Sequence, residues 1–454
     1  MSLSFIILAA GKGTRMQSDL PKVLHPLAGA PLLAHSLRTA AGMAPQKTVI
    51  VAGHRAEMVR YAAGTHFPQA EIVVQDQQLG TGHAVKTARR AFPELTGDAI
   101  VLYGDTPFIS PKTLALMLKK RREGAAVVVL GFRPETPGRY GRLVLDADGA
   151  LLKIVEAKDA SVAERAIDLC NSGVICAPTA LLFELVDAIG NDNASGEYYL
   201  TDIVALARKA GQNCAVVTCA EQETLGINAR SELARAEAAF QARARADALA
   251  NGVTLQAPET VFFAYDTVIG RDVEIGPNVV FGPGVTVESG AHIRAFCHLE
   301  GCHVSRGAIV GPFARLRPGA EVAEHAHIGN FVEIKNALIG EGAKVNHLSY
   351  VGDSDIGSGA NIGAGTITCN YDGVMKHRTV IGANAFIGSN TALVAPVRIG
   401  AGAMTGSGAV ITRDVPDDAL ALARAEQVTR KGFVARYMAR LRAIKARKSK
   451  NTKL

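Results

Sequence analysis

Apolar positions recur every six residues between Ile269 and Ile411, and this beat governs the second half of the chain. The first run is Ile269, Ile275, Phe281, Val287, Ile293 and Leu299; the second is Val304, Val310, Leu316, Val322, Ile328 and Ile334. Ile339, Val345 and Val351 follow, then Ile356, Ile362 and Thr368, and after a break Ile381, Ile387, Leu393, Ile399, Thr405 and Ile411. Six residues fit neither a 3.6-period helix nor one alternating strand. They fit a solenoid in which each hexad makes a short strand and a turn, with the Gly that often follows the beat (Gly276, Gly340, Gly357, Gly388) expected where the chain bends. Three hexads close a triangular coil, and stacked coils bury the beat as a column. Steps of five at 299–304, 334–339 and 351–356 each fall after a multiple of three hexads, which gives eight coils. An ordinary β-sandwich does not require such a phase.

The first half has a different rhythm. Short apolar runs at Phe5–Ala10, Thr48–Ala52, Ile72–Gln75, Ile100–Leu102 and Ala125–Gly131 alternate with helical lengths such as Leu33–Ala41 and His83–Phe92. That alternation predicts a mostly parallel sheet with helices on both faces and ligands at the carboxyl ends of the strands. Ser231–Asn251 is Ala-rich, free of Pro and closed by Gly252, so it reads as one helix with a thin apolar stripe, a connecting arm. The tail, Arg424–Leu454, spaces Phe433, Val434, Tyr437, Met438, Leu441 and Ile444 helically among basic residues. Docking on a neighbouring subunit is its first reading; attachment to RNA or an anionic membrane is the second.

Composition narrows the class. A chain of 454 residues suits two or three domains. Residues 424–454 carry eleven Lys/Arg against one Glu, so the remainder of a chain with net charge +7 is net −3. The basic balance belongs to the tail and argues against a general nucleic-acid surface. The apolar runs fall short of a membrane span, and Phe5–Ala10 has no basic leader, so a soluble cytoplasmic protein is expected. Seven scattered cysteines read as reduced thiols, and Cys297 and Cys302 lack the second pair a metal site would need.

Candidate chemistry begins at Gly11-Lys12-Gly13-Thr14-Arg15-Met16, between a strand and a helical turn. Such a loop offers backbone N–H groups to phosphate. Met16 replaces the third Gly of the dinucleotide fingerprint, and no Gly-Lys-Ser/Thr closes a P-loop. Lys12, Arg15 and Lys22 beside one loop suit a triphosphate that loses pyrophosphate, because developing charge is met by cations already in place. Gln75–Gly82 and Tyr103-Gly104-Asp105 also sit after predicted strands, and Asp105 could hold Mg²⁺ or merely cap a turn. In the coils, Arg317 and Lys335 each follow a beat residue one coil apart and should stack about 4.8 Å apart, a phosphate seat or a pair of solvated charges. The insert Cys369–Arg378 breaks the beat and should project as a loop on the binding face. His347 is not singled out locally among the seven histidines of this half.

The stretches LAAGKGTRM, LPK, QLGTGHA, YGD, YGR, IVEAKDA, NSGV, GEYYLTDI and GINAR stand in order. With the hexapeptide half they resemble the sugar-nucleotide pyrophosphorylases in their two-activity form. The resemblance implies an α/β fold with an N-terminal Rossmann-like nucleotidyltransferase domain (1–228), a helical linker arm (229–251), a C-terminal left-handed parallel β-helix of hexapeptide repeats with N-acetyltransferase activity (252–423) and a basic tail helix (424–454). It implies UTP and UDP-sugar contacts from Leu8, Ala9, Gly11, Lys12, Arg15, Lys22, Gln75, Gly80, Thr81, Tyr103, Gly141, Glu156, Asn171 and Asn228, with Mg²⁺ held by Asp105 and Asn228. For the coils it implies glucosamine-1-phosphate contacts from Arg317, Lys335, Tyr350, Asn361 and Lys376, and His347 as general base. Acetyl-CoA contacts would come from Ala364, Asn370, Tyr371, Ser389, Ser407 and Arg424, with Ser407 where the commonest form of the family has Ala. It further implies a homotrimer with shared sites, small-molecule substrates, no specific nucleic acid and no membrane span. Two rivals stay open at this point: a pyrophosphorylase whose coils only assemble or regulate, and a non-enzymatic sugar-nucleotide scaffold.

Overall fold

The computed structural model describes residues 2–451, with side chains described to Arg447. The chain divides into two compact units, one of residues up to Arg271 together with Ile275–Thr286, the other of Asp272–Glu274 together with residues from Val287 onward.

The first unit is built on β1 (Leu3–Ala9), β2 (Lys47–Ala52), β3 (Glu71–Val74), β4 (Asp98–Tyr103), β5 (Val127–Phe132), β6 (Arg142–Leu145), β7 (Leu151–Val155), β8 (Cys170–Pro178) and β9 (Cys214–Cys219). The main sheet runs β9-β5-β8-β4-β1-β2-β3, with β6 paired to β8 and β7 paired to β6. From Ser4 to Ala9 the first strand is buried on both faces, as a continuous apolar run in a central parallel strand should be. Helix α1 (Leu32–Ala41) and helix α2 (Thr81–Ala88) follow the expected lengths, the second ending in a 3₁₀ turn, Arg89–Ala91. The mostly parallel expectation holds for β1, β2, β3 and β4, but β8 runs antiparallel to both β4 and β5. Its register against β5 shifts between Asn171 and Ile175. Helix α3 (Arg230–Ala250) buries only Ala236, Phe240 and Gln241, so its apolar stripe is as thin as its sequence implied.

In the second unit, every beat residue from Val287 to Ile411 is buried. Eight short strands, from His292–Ile293 through His327–Asn330 and Lys344–His347 to Leu420–Ala421, stack in parallel one above the next. Leu299, Leu316, Ile334 and Val351 stand in register, which confirms one coil per 17 or 18 residues and a parallel β-helix. The expectation of glycine for the bend holds at Gly311, with φ 96°, but needs correction elsewhere. Gly340, Gly357, Gly363, Gly382 and Gly388 have no positive φ; a Cβ there would instead strike the backbone of the next coil. The turns are made partly by bulky residues in the left-handed region, Phe296, Phe313, Phe331 and Leu348, which are genuine outliers there. The three rings stack in an exposed ladder, with centroids 4.8 and 5.1 Å apart.

Residues 370–378 leave the solenoid, whereas Cys369, expected in the insert, ends the strand Ile367–Cys369 and pairs with Val394. Tyr371 bridges Lys376, and Asp372 Oδ1 accepts from the amides of Val374 and Met375, so the loop is tied at its own base while Val374 stands exposed. Helix α4 (Phe433–Asn451) follows, and its apolar side chains from Phe433 to Ile444 are exposed. Among the described residues no helix is long and apolar enough to cross a membrane.

Candidate active sites

At the strand ends of the first unit, three residues distant in sequence meet. Lys22 Nζ donates to Asn228 Oδ1 at 2.9 Å and to the carboxylate of Asp105. Gly13 makes room for this: its φ of 64° needs no Cβ, and one placed there would lie 2.6 Å from Lys22 Cβ. Asp105 leaves β4 one residue after Gly104, whose N–H donates to the carbonyl of Leu8 at 2.9 Å, and the carbonyl of Asp105 accepts from Ile227 at 3.0 Å. The second bond carries the 227–228 turn to the same place. Lys12 and Arg15 are exposed on the glycine loop, and among the described residues neither forms an ion pair.

Gln75 is buried, its Nε2 donating to the carbonyl of Gly80 at 3.2 Å and meeting His83 Nδ1 at 2.9 Å. A cavity of about 840 Å³ is lined by Thr81, Tyr103, Glu156 and Asn171, together with Arg139, Lys158 and Tyr199. Burial first, then the carboxylates of Asp105 and Glu156, pushes the Tyr103 phenol above its ordinary value, with Thr81 pulling the other way. Burial also raises Glu156, which accepts from Thr201 at 3.3 Å. The irregularity in β8 serves this cavity. Asn171 Oδ1 accepts from the Gly173 N–H at 2.9 Å, Gly173 has φ 90°, and a Cβ there would meet the Tyr103 ring at 2.6 Å. Gly141 enters through its carbonyl, which accepts from the Asn171 N–H at 2.8 Å.

Sequence reasoning missed three residues that support this site. Gln78 ties the QLGTG loop to the first by donating to the Ala10 carbonyl at 2.8 Å. Glu232, three residues into α3, accepts from the amides of Asn228 at 2.6 Å and Ala229 at 3.1 Å, and Arg230 donates to the Met16 carbonyl at 3.3 Å. A Glu at the third position of a helix was the legible signal for the Asn228 clamp.

The coil unit assembles its candidates by register. Leu348 N–H donates to Asn330 O, Gly365 to His347 O, Asn390 to Ala364 O and Gly408 to Ser389 O, and Arg424 Nη1 reaches Ser407 O at 2.7 Å. Asn330, His347, Ala364, Ser389, Ser407 and Arg424 thus form one file along successive coils. His347 is exposed on it, its Nδ1 2.7 Å from Asn330 Oδ1. A cavity of about 430 Å³ beside it is lined by Arg294, His327, Phe313, Phe331 and Asn346. Burial, then Arg294, Lys344 and His347, lowers the His327 pKa.

A cationic cluster lies around Lys335. Arg317 and Lys335 follow the register pair Leu316 and Ile334, and Lys335 pairs with Gly352, against which the Tyr350 hydroxyl packs. Contact with the Lys376 ammonium first, then burial, Lys376 charge and Arg317, lowers the Lys335 pKa. Arg317 is held by Glu333 at 2.8 Å, which raises its pKa. Asp353 accepts from Asn336 Nδ2 at 2.6 Å and from the amide of Asn370. Burial pushes its carboxyl up, but these two amides with Lys335 and Lys376 outweigh it and leave the pKa lowered. Asn361 lies in register with Lys344, and Tyr371 is exposed on the insert. Asn330, Glu333, Asn336 and Asp353 carried no signal in the sequence. Among the described residues no group of three or more His, Cys, Asp or Glu is arranged to hold a metal, which leaves Asp105 with the Asn228 amide as the candidate pair.

Residues 5–190 match the MobA-like NTP transferase domain, and 266–301 and 378–413 match the bacterial transferase hexapeptide (six repeats). The Bifunctional protein GlmU of Ruegeria sp. (strain TM1040) is 63% identical over 99% of this chain and 100% of its own length. Its namesake in Cereibacter sphaeroides (strain ATCC 17023) is 64% identical over 99% of this chain and 98% of its own. That of Roseobacter denitrificans is 62% identical over the full length of both. Both halves are matched together and end to end, so this chain belongs to the family of bifunctional GlmU proteins.

Proposed function

We infer that each unit houses its own transfer reaction, and that the two run in sequence to make UDP-N-acetylglucosamine. The coil unit acetylates glucosamine-1-phosphate from acetyl-CoA. The sheet unit then joins the product to UTP and releases pyrophosphate. The observation that carries this reading is the presence of a separate polar cluster in each unit, Lys22–Asp105–Asn228 in one and the His347 file beside Lys335 in the other. A pyrophosphorylase with inert coils gives no reason for the second.

In uridylyl transfer the sugar phosphate oxygen attacks the α-phosphorus of UTP while the bond to pyrophosphate breaks. Positioning and fixed charge do the work, and no protein nucleophile is needed. Asp105 and Asn228 fit Mg²⁺, since their two oxygens already converge on a cation, the Lys22 ammonium. Bound there, Mg²⁺ would neutralise phosphate charge, leaving Lys22 to the triphosphate with Lys12 and Arg15. Glu156, Asn171 and Tyr103 line the cavity that takes the sugar phosphate.

In acetyl transfer the sugar amine attacks the thioester carbonyl, forming the C–N bond and breaking C–S. His347 takes the amine proton and returns it to the departing thiolate. Arg317, Lys335 and Lys376 hold the sugar phosphate, with Tyr350 and Asn361 on the sugar, while Ala364, Asn370, Tyr371, Ser389, Ser407 and Arg424 receive acetyl-CoA. The exposed phenylalanine ladder and the bare apolar face of α4 support a homotrimer. Seven free cysteines support a reducing cytoplasm.

The test supplies glucosamine-1-phosphate, acetyl-CoA, UTP and Mg²⁺ together and follows UDP-N-acetylglucosamine. Omitting acetyl-CoA should stop its formation, and supplying N-acetylglucosamine-1-phosphate should restore it. Continued formation without either acetyl donor or acetylated sugar would refute the two-step order.

A further inference from the structure

The file that carries His347 holds a neighbour to which no role in the reaction has been given. Asn330 and His347 are register partners on adjacent coils, and the Asn330 side-chain oxygen lies 2.7 Å from His347 Nδ1. The approach is enforced by the backbone. Gly329 has no Cβ, and one placed there would land on the carbonyl oxygen of Asn346, so only glycine lets the next coil settle at this depth. Above, Ser349 Oγ donates to the His347 carbonyl at 2.9 Å, fixing the turn that aims the ring. Among the described residues Asn330 is the one hydrogen-bond partner of the ring, and His347 lines the open cavity.

We propose that Asn330 is a positioning residue for acetyl transfer: its oxygen accepts the proton of His347 Nδ1 and so leaves Nε2 unprotonated as the base. This rests on the reading of His347 given above and adds the tautomer to it. An acceptor at Nδ1 selects the neutral form in which Nε2 carries the lone pair. Asn330 differs from the carboxylate that often backs a catalytic imidazole, because it orients without adding charge. Arg294 and His327 line the same cavity as His347.

The experiment is steady-state acetyl transfer by the full-length protein across pH, with uridylyl transfer by the same samples as the folding control. Asn330→Ala should lower kcat for acetyl transfer about 10- to 100-fold, with KM for both substrates within about threefold. Asn330→Asp should recover most of kcat at high pH, with the acidic limb of kcat/KM moved upward by about one unit, since a carboxylate favours imidazolium. Uridylyl transfer should be unchanged in both. Wild-type kcat in Asn330→Ala overturns the proposal. So does an equal loss in both variants with the limb unmoved, the mark of a merely structural contact. If Asn330→Ala fails to fold, the limb of Asn330→Asp decides alone. Acetyl transfer surviving in His347→Ala would instead overturn the base assignment on which the proposal stands, a result no Asn330 variant can mimic.

Discussion

The two units position charge in opposite ways. In the sheet unit, Lys22 meets Asp105 across 83 residues of sequence and Asn228 across 206. In the coil unit, Asn330 meets His347, Asn336 meets Asp353 and Asp353 meets Asn370, each across 17. One site is assembled from loops at the ends of different strands, each aimed by its own turn. The other is a surface feature of a repeating ladder, so one register fixes every pair at once. A loop site tolerates a local change if its turn survives. A ladder site shares its geometry with every coil that carries it, so backbone contact between coils sets how its side chains meet.

If the units work independently, removing the key group of each should leave the other untouched. Asp105→Ala should show the largest effect, a fall in pyrophosphate release from UTP of about 10³-fold or more, because a partner of Lys22 is lost together with the oxygen proposed for Mg²⁺. Acetyl transfer by the same protein should stay within about twofold. His347→Ala should reverse the pattern, lowering acetyl transfer about 10²- to 10³-fold with uridylyl transfer intact. Separate assays of the two half-reactions check both. Loss of both activities in either variant would break the comparison.

The next test strikes the ladder itself. Gly329→Ala sets a methyl against the Asn346 carbonyl, backbone that cannot rotate away. The coils must separate, at a cost of about 2–3 kcal/mol, and acetyl transfer should fall with stability because Asn330 and His347 part. Gly13→Ala is the matching change in the loop unit, where the obstacle is Lys22 Cβ at 2.6 Å, an atom fixed to its own backbone, and where Gly13 itself has φ 64°. It should cost about 1 kcal/mol through φ, with a further cost from displacing Lys22, and its damage should appear in uridylyl transfer. Thermal unfolding with both assays separates the two outcomes.

The same contrast explains what the sequence disclosed. A sixfold beat predicts register by arithmetic, so the neighbourhood of Arg317 and Lys335 was legible from spacing alone. The beat is silent on which residues between its own positions matter, and Asn330, Glu333 and Asp353 gave no signal for that reason. It also misled on Gly340 and Gly357, since a glycine needed for close approach and one needed for a turn look alike in sequence. In the sheet unit, the strand ending before Asp105 was legible from its apolar run. The antiparallel course of β8 was not, because strand direction depends on how the chain returns to the sheet rather than on local pattern. The meeting of Asp105 with Asn228 needed either the resemblance or the fold.

The smallest expected effect sharpens the comparison from the side of stability. Burial raises the Glu156 pKa at the sugar-phosphate cavity, whereas the two amides of the ladder and the lysines hold Asp353 below the ordinary carboxylate range despite burial. A raised carboxyl pKa favours the folded state at low pH. That stability is fully present below the unfolded value and is lost as pH rises through the folded one. Glu156 therefore destabilises the sheet unit at neutral pH, and Glu156→Gln should raise its thermal midpoint by roughly 2 °C at pH 7.5 and leave it unchanged at pH 4. Asp353 has the opposite sign. Its contribution is present above the unfolded value and lost as pH falls through the folded one, so Asp353→Asn should lower the coil midpoint at pH 7.5 and do so less at acid pH. Paired melts of the two variants at both pH values give the result. A gain in both, or a loss in both, would show that the loop site and the ladder site pay for buried charge in the same way.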